Sequence, residues 1–210
     1  MTWSYIGDDP GLRLFTACYE AGAPMSFTPG MRVLEVGCCE GDWLHPAHAV
    51  WPDIDFVGID WRAPDVVDGD GKVTRMKANG LDPDLFAPES FDAVVSISAI
   101  EHFGLGHYAK DPIDPDGDTH VVANIWRWLK PGGWFYVDVP YDPSGYRVNG
   151  TKCRIYDKHA VHERMGGPAG SWLPMWRGFV HAKAPGRLID LRPTEPVQPF
   201  YYVAMVWRRV

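Results

Sequence analysis

Hydrophobic positions along the chain switch between two spacings. Short continuous apolar runs at 32–36, 55–59 and 91–97 read as strands buried on both faces. Between and before them the spacing is helical. Leu12, Leu14, Phe15 and Cys18 predict a helix over 11–21, and a second is expected over 42–50, stopped by Trp51-Pro52. A further strand is predicted at 72–77, preceded by a short helix or loop. A helix over 119–129 should end at Lys130-Pro131-Gly132-Gly133, with a strand at 134–139 after it. The last third is less regular, with a helix near 157–165 and strands near 177–183 and 200–208. Strand–helix alternation of this kind predicts an α/β domain built on a mostly parallel sheet with helices on both faces.

The first strand leads into chemistry. Val33-Leu34-Glu35-Val36-Gly37-Cys38-Cys39-Glu40-Gly41-Asp42 is an apolar run carrying an acid, then a turn of small residues. The next strand, Phe56-Val57-Gly58-Ile59, ends in Asp60. A strand, glycine turn and helix followed by a strand ending in a carboxylate suits an adenosine-containing cofactor. A dinucleotide fingerprint needs G-x-G-x-x-G so that a pyrophosphate can approach bare backbone. Here Cys39 places a side chain between Gly37 and Gly41, and the turn has no P-loop lysine. The loop therefore suits a small zwitterion better than a diphosphate.

At these residues the chain resembles the class I S-adenosylmethionine-dependent methyltransferases, whose first motif runs E/D-x-G-x-G-x-G. Glu35, Gly37 and Gly41 match, and Cys39 stands at the central glycine. The resemblance extends through Phe91-Asp92-x-Val94-Val95-Ser96, Ala99-Ile100-Glu101-His102 and Leu129-Lys130-Pro131-Gly132-Gly133, covering roughly residues 30–141. It implies a single Rossmann-like, doubly wound, mostly parallel sheet of seven strands, closed by a C-terminal antiparallel edge hairpin. It also implies S-adenosyl-L-methionine as cofactor. The loop 104–118 is similar to a segment of methyltransferase-like proteins linked to sugar and polysaccharide modification.

Site residues follow from both sources. Asp60 can accept from both ribose hydroxyls, which needs one acid with two oxygens. Glu35, on a buried strand, requires donors from turn amides or from an ammonium group. Gly37 and Gly41 allow unusual backbone angles and close approach. The resemblance implies that Trp61 packs on the adenine, that Asn79-Gly80-Leu81 addresses its amino group, and that Ser96 lies near the methionine end with Cys39. Methyl transfer is an in-line displacement in which alignment supplies much of the rate. A hydroxyl acceptor also gains from a base, and His102, just past a strand end, is the candidate. Glu101, His107, Tyr108 and Asp138 are candidates for the acceptor pocket, with Tyr141, Arg154 and Tyr156 from the C-terminal third. Asp114, Asp116 and Asp118 alternate around Gly117, but Ile125 stands where a calcium loop needs its last glutamate, so no metal is expected. Asp118 reads instead as a helix N-cap.

Composition narrows the setting. At 210 residues the chain fits one domain, 1–210, with a helical lead-in over 1–30, a cofactor core over 31–141 and an acceptor-side segment over 142–210. A net charge of −7 argues against a nucleic-acid surface, which needs a basic stripe. Cys18, Cys38, Cys39 and Cys153 show no paired spacing, favouring free thiols in a reducing, cytoplasmic setting. No stretch reads as a signal peptide or a membrane span. The partner expected is a small-molecule methyl acceptor, an oxygen nucleophile with a sugar among the candidates. The alternative is a non-catalytic domain that binds the cofactor and serves as an interaction module. The oligomeric state is left open.

Overall fold

In a computed structural model of the protein, residues 10–108, 112–167, 171–181, 188–189 and 201–210 are described. The chain-order elements are α1 (Pro10–Glu20), β1 (Arg32–Val36), α2 (Leu44–Val50), β2 (Asp55–Asp60), β3 (Val66–Val67), β4 (Val73–Lys77) and β5 (Phe91–Ile97). They continue with a 3₁₀ turn (Ile100–His102), α3 (Gly117–Trp128), β6 (Leu129–Tyr141), β7 (Arg147–Asn149), β8 (Cys153–Ile155), α4 (Lys158–Met165), β9 (Trp172–His181), β10 (Leu188–Ile189) and β11 (Tyr201–Arg209). The expected lead-in over 1–9 and the outer residues of the two late strands, 182–183 and 200, lie outside the described residues.

The sheet has the order β10-β9-β11-β6-β5-β1-β2-β4-β3. β1 runs parallel to both β2 and β5, β2 to β4 and β5 to β6. β11 is antiparallel to β6 and to β9, the expected edge hairpin. Two-residue strands, β3 and β10, extend the sheet beyond the expected seven. The chain winds outward from β1 through β2 to β4, then returns to place β5 on the other side of β1. Such a reversal opens a crevice beyond the carboxyl ends of β1 and β5.

Alternation on the central strands divides the core. Leu34, Val36, Val94, Val137 and Val203 face one side, where Val121, Val122, Ile125 and Trp128 of α3 cover them with Val161 and Met165 of α4. Val33, Phe56, Ala93, Val95 and Tyr136 face the other, against Leu14, Phe15 and Cys18 of α1 and Leu44 and Ala47 of α2. Burying each large apolar side chain contributes about 1.5–3 kcal/mol, so these faces fix the register of the central strands. α2 begins at Leu44, two residues later than expected, and Pro46 fits its first turn because no intrahelical acceptor is needed there.

Several details differ from expectation. Lys130–Gly133 stops α3, yet β6 already pairs at Leu129↔Phe91 and resumes at Trp134↔Ala93, so the Pro-Gly-Gly segment is looped out of the ladder. β7 and β8 form a separate hairpin around Asn149–Lys152. Asp118 is not the N-cap of α3. Asp116 holds that position without a side-chain cap bond, and Asp118 is fully buried in the first turn. There it accepts from Tyr156 Oη at 2.8 Å and from Arg164 Nε and Nη2 at 2.7 and 2.6 Å.

Arg154 completes this network. It is fully buried, with Nη1 donating to the Phe103 carbonyl at 2.6 Å and Nη2 to the Pro115 carbonyl at 2.9 Å. Its Nε lies 3.3 Å from Asp118 Oδ1. Arg154 and Tyr156, expected at the acceptor pocket, instead spend their polar atoms within the fold, Arg154 on carbonyls of the loop after β5 and Tyr156 on Asp118 in the first turn of α3. Removing one partner of a buried ion pair leaves the other uncompensated. Asp118→Ala should therefore destabilise the fold by about 3–5 kcal/mol in urea or thermal unfolding. A loss under 1 kcal/mol, as for an exposed pair, would contradict the burial of this network.

Candidate functional site

The crevice at the sheet reversal holds a pocket open to solvent. Its walls come from the tips of β1, β2, β4 and β5, through Gly37, Asp60, Asn79 and Ser98 among others.

The β1 side is the small-residue turn. Gly37 has φ +88°, and a Cβ built on it would overlap the Ala99 methyl. Only glycine gives this conformation without strain while leaving bare backbone at the pocket floor. The amides of Gly37 and Cys38 donate to the Ile59 carbonyl at 2.8 and 3.1 Å, locking the turn to β2. Cys39 takes φ +48°, a left-handed conformation unusual for a side chain with a Cβ. Gly41 shares the positive φ but does not line the pocket; a Cβ there would lie 3.0 Å from Arg75 and His45 side-chain atoms. Glu35 is buried within the sheet at 4% exposure. Burial, with the nearby Glu35 and Asp60 charges, pushes the Cys38 thiol well above its ordinary range.

The β2 side is Asp60, followed by Trp61 and Arg62, all lining the pocket. Asp60 Oδ2 accepts the Cys39 amide at 3.1 Å and Oδ1 the Arg62 amide at 2.7 Å, so this carboxylate joins the two strand tips. The Arg62 side chain also returns to it, with Nε 3.2 Å from Oδ1. Its guanidinium carbon lies 4.2 Å from the centre of the Tyr108 ring.

From β4, Ala78, Asn79 and Gly80 form a third wall. Asn79 Oδ1 accepts the Leu81 amide at 3.0 Å, so the Asn-Gly pair is a side-chain-closed turn with Asn79 at the pocket. Leu81 packs against the α3-side core instead of the pocket.

The β5 side contributes the strained residue Ser98, φ +44°, then Ala99, His102 and Phe103. Ser98 N and Oγ donate to Asp138 Oδ1 at 2.9 and 3.0 Å, and Tyr136 Oη donates to Oδ2 at 3.0 Å. Asp138 is fully buried, so it supports the wall from behind instead of meeting a ligand. Ser96 is likewise buried, its Oγ donating to the Val36 carbonyl at 3.0 Å to tie β5 to β1. Tyr141 belongs to the hydrophobic core at the end of β6.

His102 is the titratable group best placed on the pocket. Its Nδ1 bonds the Lys152 carbonyl, which can only accept, so the proton sits on Nδ1 and Nε2 is the basic nitrogen. Burial, against the bond to Lys152 and with His107, Arg62 and Arg154 nearby, holds its pKa below the ordinary histidine value. Nε2 lies 3.8 Å from Glu101 Oε1. Glu101 is buried on the 3₁₀ turn, and desolvation raises its pKa well above the usual carboxylate range. His107 stacks on His102 with ring centres 5.9 Å apart, and Tyr108 packs edge-on against both.

The structure therefore brings together Gly37, Asp60, Trp61, Asn79, Gly80, His102 and Tyr108 at one pocket. Arg62, Ser98, Ala99 and Phe103 also line it and escape sequence reasoning. Ala99 falls within the recognised motif, but nothing local marks Arg62 or Ser98. Among the described residues, no cluster of three or more metal-binding side chains occurs.

A family model described as a Caenorhabditis protein of unknown function, DUF268, matches residues 85–164. Methyltransferase str3 of Strobilurus tenacellus is 31% identical over 116 residues, which is 55% of this chain and 38% of that protein. The chain likewise spans 38% of the related methyltransferase str2. Among solved structures, geranyl diphosphate C-methyltransferase from Streptomyces coelicolor A3(2), bound to Mg²⁺, geranyl diphosphate and S-adenosyl-L-homocysteine, superposes with a TM-score of 0.64 at 15% identity, covering 93% of this chain and 77% of that one. The 1,6-didemethyltoxoflavin-N1-methyltransferase of Burkholderia thailandensis, with bound 1,6-didemethyltoxoflavin and S-adenosylhomocysteine, superposes at 0.62 and 16% identity, covering 97% of this chain and 79% of that one. The chain has the class I methyltransferase fold.

The glycine requirement is testable. Gly37→Ala forces a side chain into the left-handed region against Ala99 and should cost at least 1–3 kcal/mol in thermal unfolding. An unchanged melting temperature would mean the turn is not held as described.

Proposed function

We propose that this chain is an S-adenosylmethionine-dependent methyltransferase acting on a small-molecule oxygen nucleophile. The carrying observation is the pairing of a bare glycine turn on β1 with a carboxylate at the β2 tip, opening on one pocket with a basic histidine. The residues fit the cofactor: Gly37 puts backbone without a side chain on the pocket wall, and Asp60 offers the acceptor a ribose diol needs. Trp61 and Phe103 supply apolar surface for a purine, and Asn79-Gly80 an edge of polar backbone beside it. When bound, the cofactor supplies an electrophilic methyl group on a sulfonium.

The chain then has modest work. With the cofactor bound, the pocket walls would orient the acceptor oxygen towards that methyl, and such alignment supplies much of the rate. His102 Nε2 takes the hydroxyl proton as the oxygen becomes nucleophilic. The resulting imidazolium keeps its Nδ1 proton on the Lys152 carbonyl and lies beside Glu101. Asp138 and Arg154 act on this chemistry through position alone, by fixing Ser98 and the loop after β5. The four cysteines are free thiols, which supports a reducing, cytoplasmic setting. Among the described residues no helix is long and apolar enough to cross a membrane.

Calorimetry with S-adenosylmethionine, S-adenosylhomocysteine and NAD tests the cofactor, and turnover with sugar and phenolic hydroxyls tests the acceptor. NAD binding alone would reject the proposal; sulfonium binding without any turnover would favour the non-catalytic alternative. Asp60→Ala should weaken S-adenosylhomocysteine binding by about 1–3 kcal/mol, as two hydroxyls lose a charged acceptor. Unchanged affinity would remove Asp60 from the cofactor seat.

His102 gives a pH signature. Because its folded pKa is depressed, the neutral base persists as pH falls through the ordinary histidine value near 6.5. The acid limb of kcat should therefore lie below about pH 6.5, and His102→Ala should abolish that limb while lowering kcat at saturating cofactor. A limb at or above the ordinary value, or a fully active variant, would exclude His102 as the base.

A further inference from the structure

We propose that Arg62 is the acceptor-specificity residue of this site: a ribose diol arriving at Asp60 releases its side chain, which then receives an oxyanion, a carboxylate or phosphate, on the acceptor. The inference rests on the methyltransferase reading and deepens it by naming the acceptor's charge.

Asp60 can accept only a limited number of donors. An ionised carboxylate offers about four lone-pair sites. Asp60 already receives the Cys39 amide at 3.1 Å, the Arg62 amide at 2.7 Å, and Arg62 Nε and Nη2 at 3.2 and 3.3 Å. A diol must therefore displace a donor. The two amides belong to the backbone of the strand tips and cannot leave without unwinding them. The Arg62 side chain can leave, since it is 45% exposed while the Asp60 side chain is 7% exposed. Its two bonds to Asp60 are also the longer ones.

Displacement does not send the guanidinium into bulk water. Its carbon lies 4.2 Å over the Tyr108 ring, and Tyr108, His102 and Phe103 line the same pocket. A cation held on an aromatic face and stripped of its carboxylate is short of a partner. Among the described pocket-lining residues, Asp60 carries the one carboxylate, so no wall residue replaces it. His102 on the same wall and His107 stacked on it bring no carboxylate, and the nearby Glu101 is fully buried with its pKa raised by desolvation. A planar fork of donors matches a carboxylate or a phosphate in bidentate fashion. The site therefore gains a place for an oxyanion when Asp60 turns to the cofactor, which couples the two binding events.

Calorimetry on the full chain tests this with S-adenosylhomocysteine and three acceptor probes: benzoate, phenyl phosphate and benzamide. Benzoate or phenyl phosphate should bind about tenfold more tightly to the S-adenosylhomocysteine-loaded protein than to the free protein, a coupling of ordinary size. The stronger of the two identifies the anion, and benzamide should show no such gain. Arg62→Ala and Arg62→Gln should each bind S-adenosylhomocysteine several-fold more tightly than wild type and lose the anion's gain, with melting temperatures confirming that both fold. The inference is overturned if the folded variants bind S-adenosylhomocysteine more weakly, or if neither anion responds to it. Failure of the wild-type chain to bind S-adenosylhomocysteine at all is a different result, which removes the methyltransferase reading itself.

Discussion

Asp60 carries more of this structure than its place at a strand end suggests. Its carboxylate is nearly buried, and its two oxygens receive donors from both neighbouring strand tips. The Cys39 amide reaches it from the turn after β1, and the Arg62 amide from the chain leaving β2. A carboxylate taken this far from water would be costly without such partners. Because it has them, the same group holds the turn of β1 against the tip of β2 and presents an acceptor to the crevice. Turn geometry, pocket shape and local charge are thus set together, and none can be altered alone.

The opposite wall is organised on the same logic with different residues. Ser98 sits in a conformation that side chains seldom take, and the buried Asp138 compensates through two bonds to it. Below the following loop, Arg154 and Arg164 converge on Asp118, and Arg154 gathers carbonyls of the loop it supports. These groups never meet the pocket, yet they decide where Ala99, His102 and Phe103 stand. Strained backbone persists at such a place because its surroundings over-determine it.

Elements whose pattern was dictated by burial were legible in the sequence. β1, β2 and β5 fall where the apolar runs end, because their neighbours bury both faces and a shift of one residue would reverse every side chain. The β7–β8 hairpin was not, since Arg147, Val148 and Asn149 are all exposed and show no alternation. Its Asn149-Gly150 pair was a usable turn signal that went unread. At the site, Gly37, Asp60 and His102 were marked by local motifs. Arg154 and Tyr156 were assigned to the wrong environment because a buried polar group is defined by its partner, and Asp118 lies 36 and 38 residues earlier in the chain. Arg62 had no mark at all: an arginine beside an acid in sequence is ordinary until the folded chain shows what its side chain covers.

One small element has a consequence for the molecule's behaviour towards its own copies. Between β2 and β4 the chain forms no helix; it lays down the dipeptide β3, antiparallel on β4 at Thr74 and Arg75. The outer margin of a sheet otherwise offers a row of vacant peptide groups to any extended segment that drifts by. Here the polypeptide occupies part of that margin itself and leaves Lys77 exposed at the end of β4, while β3 is too brief to serve as a template in turn. That side of the sheet thereby resists stacking strand upon strand with neighbouring molecules, a colloidal safeguard obtained from two valines.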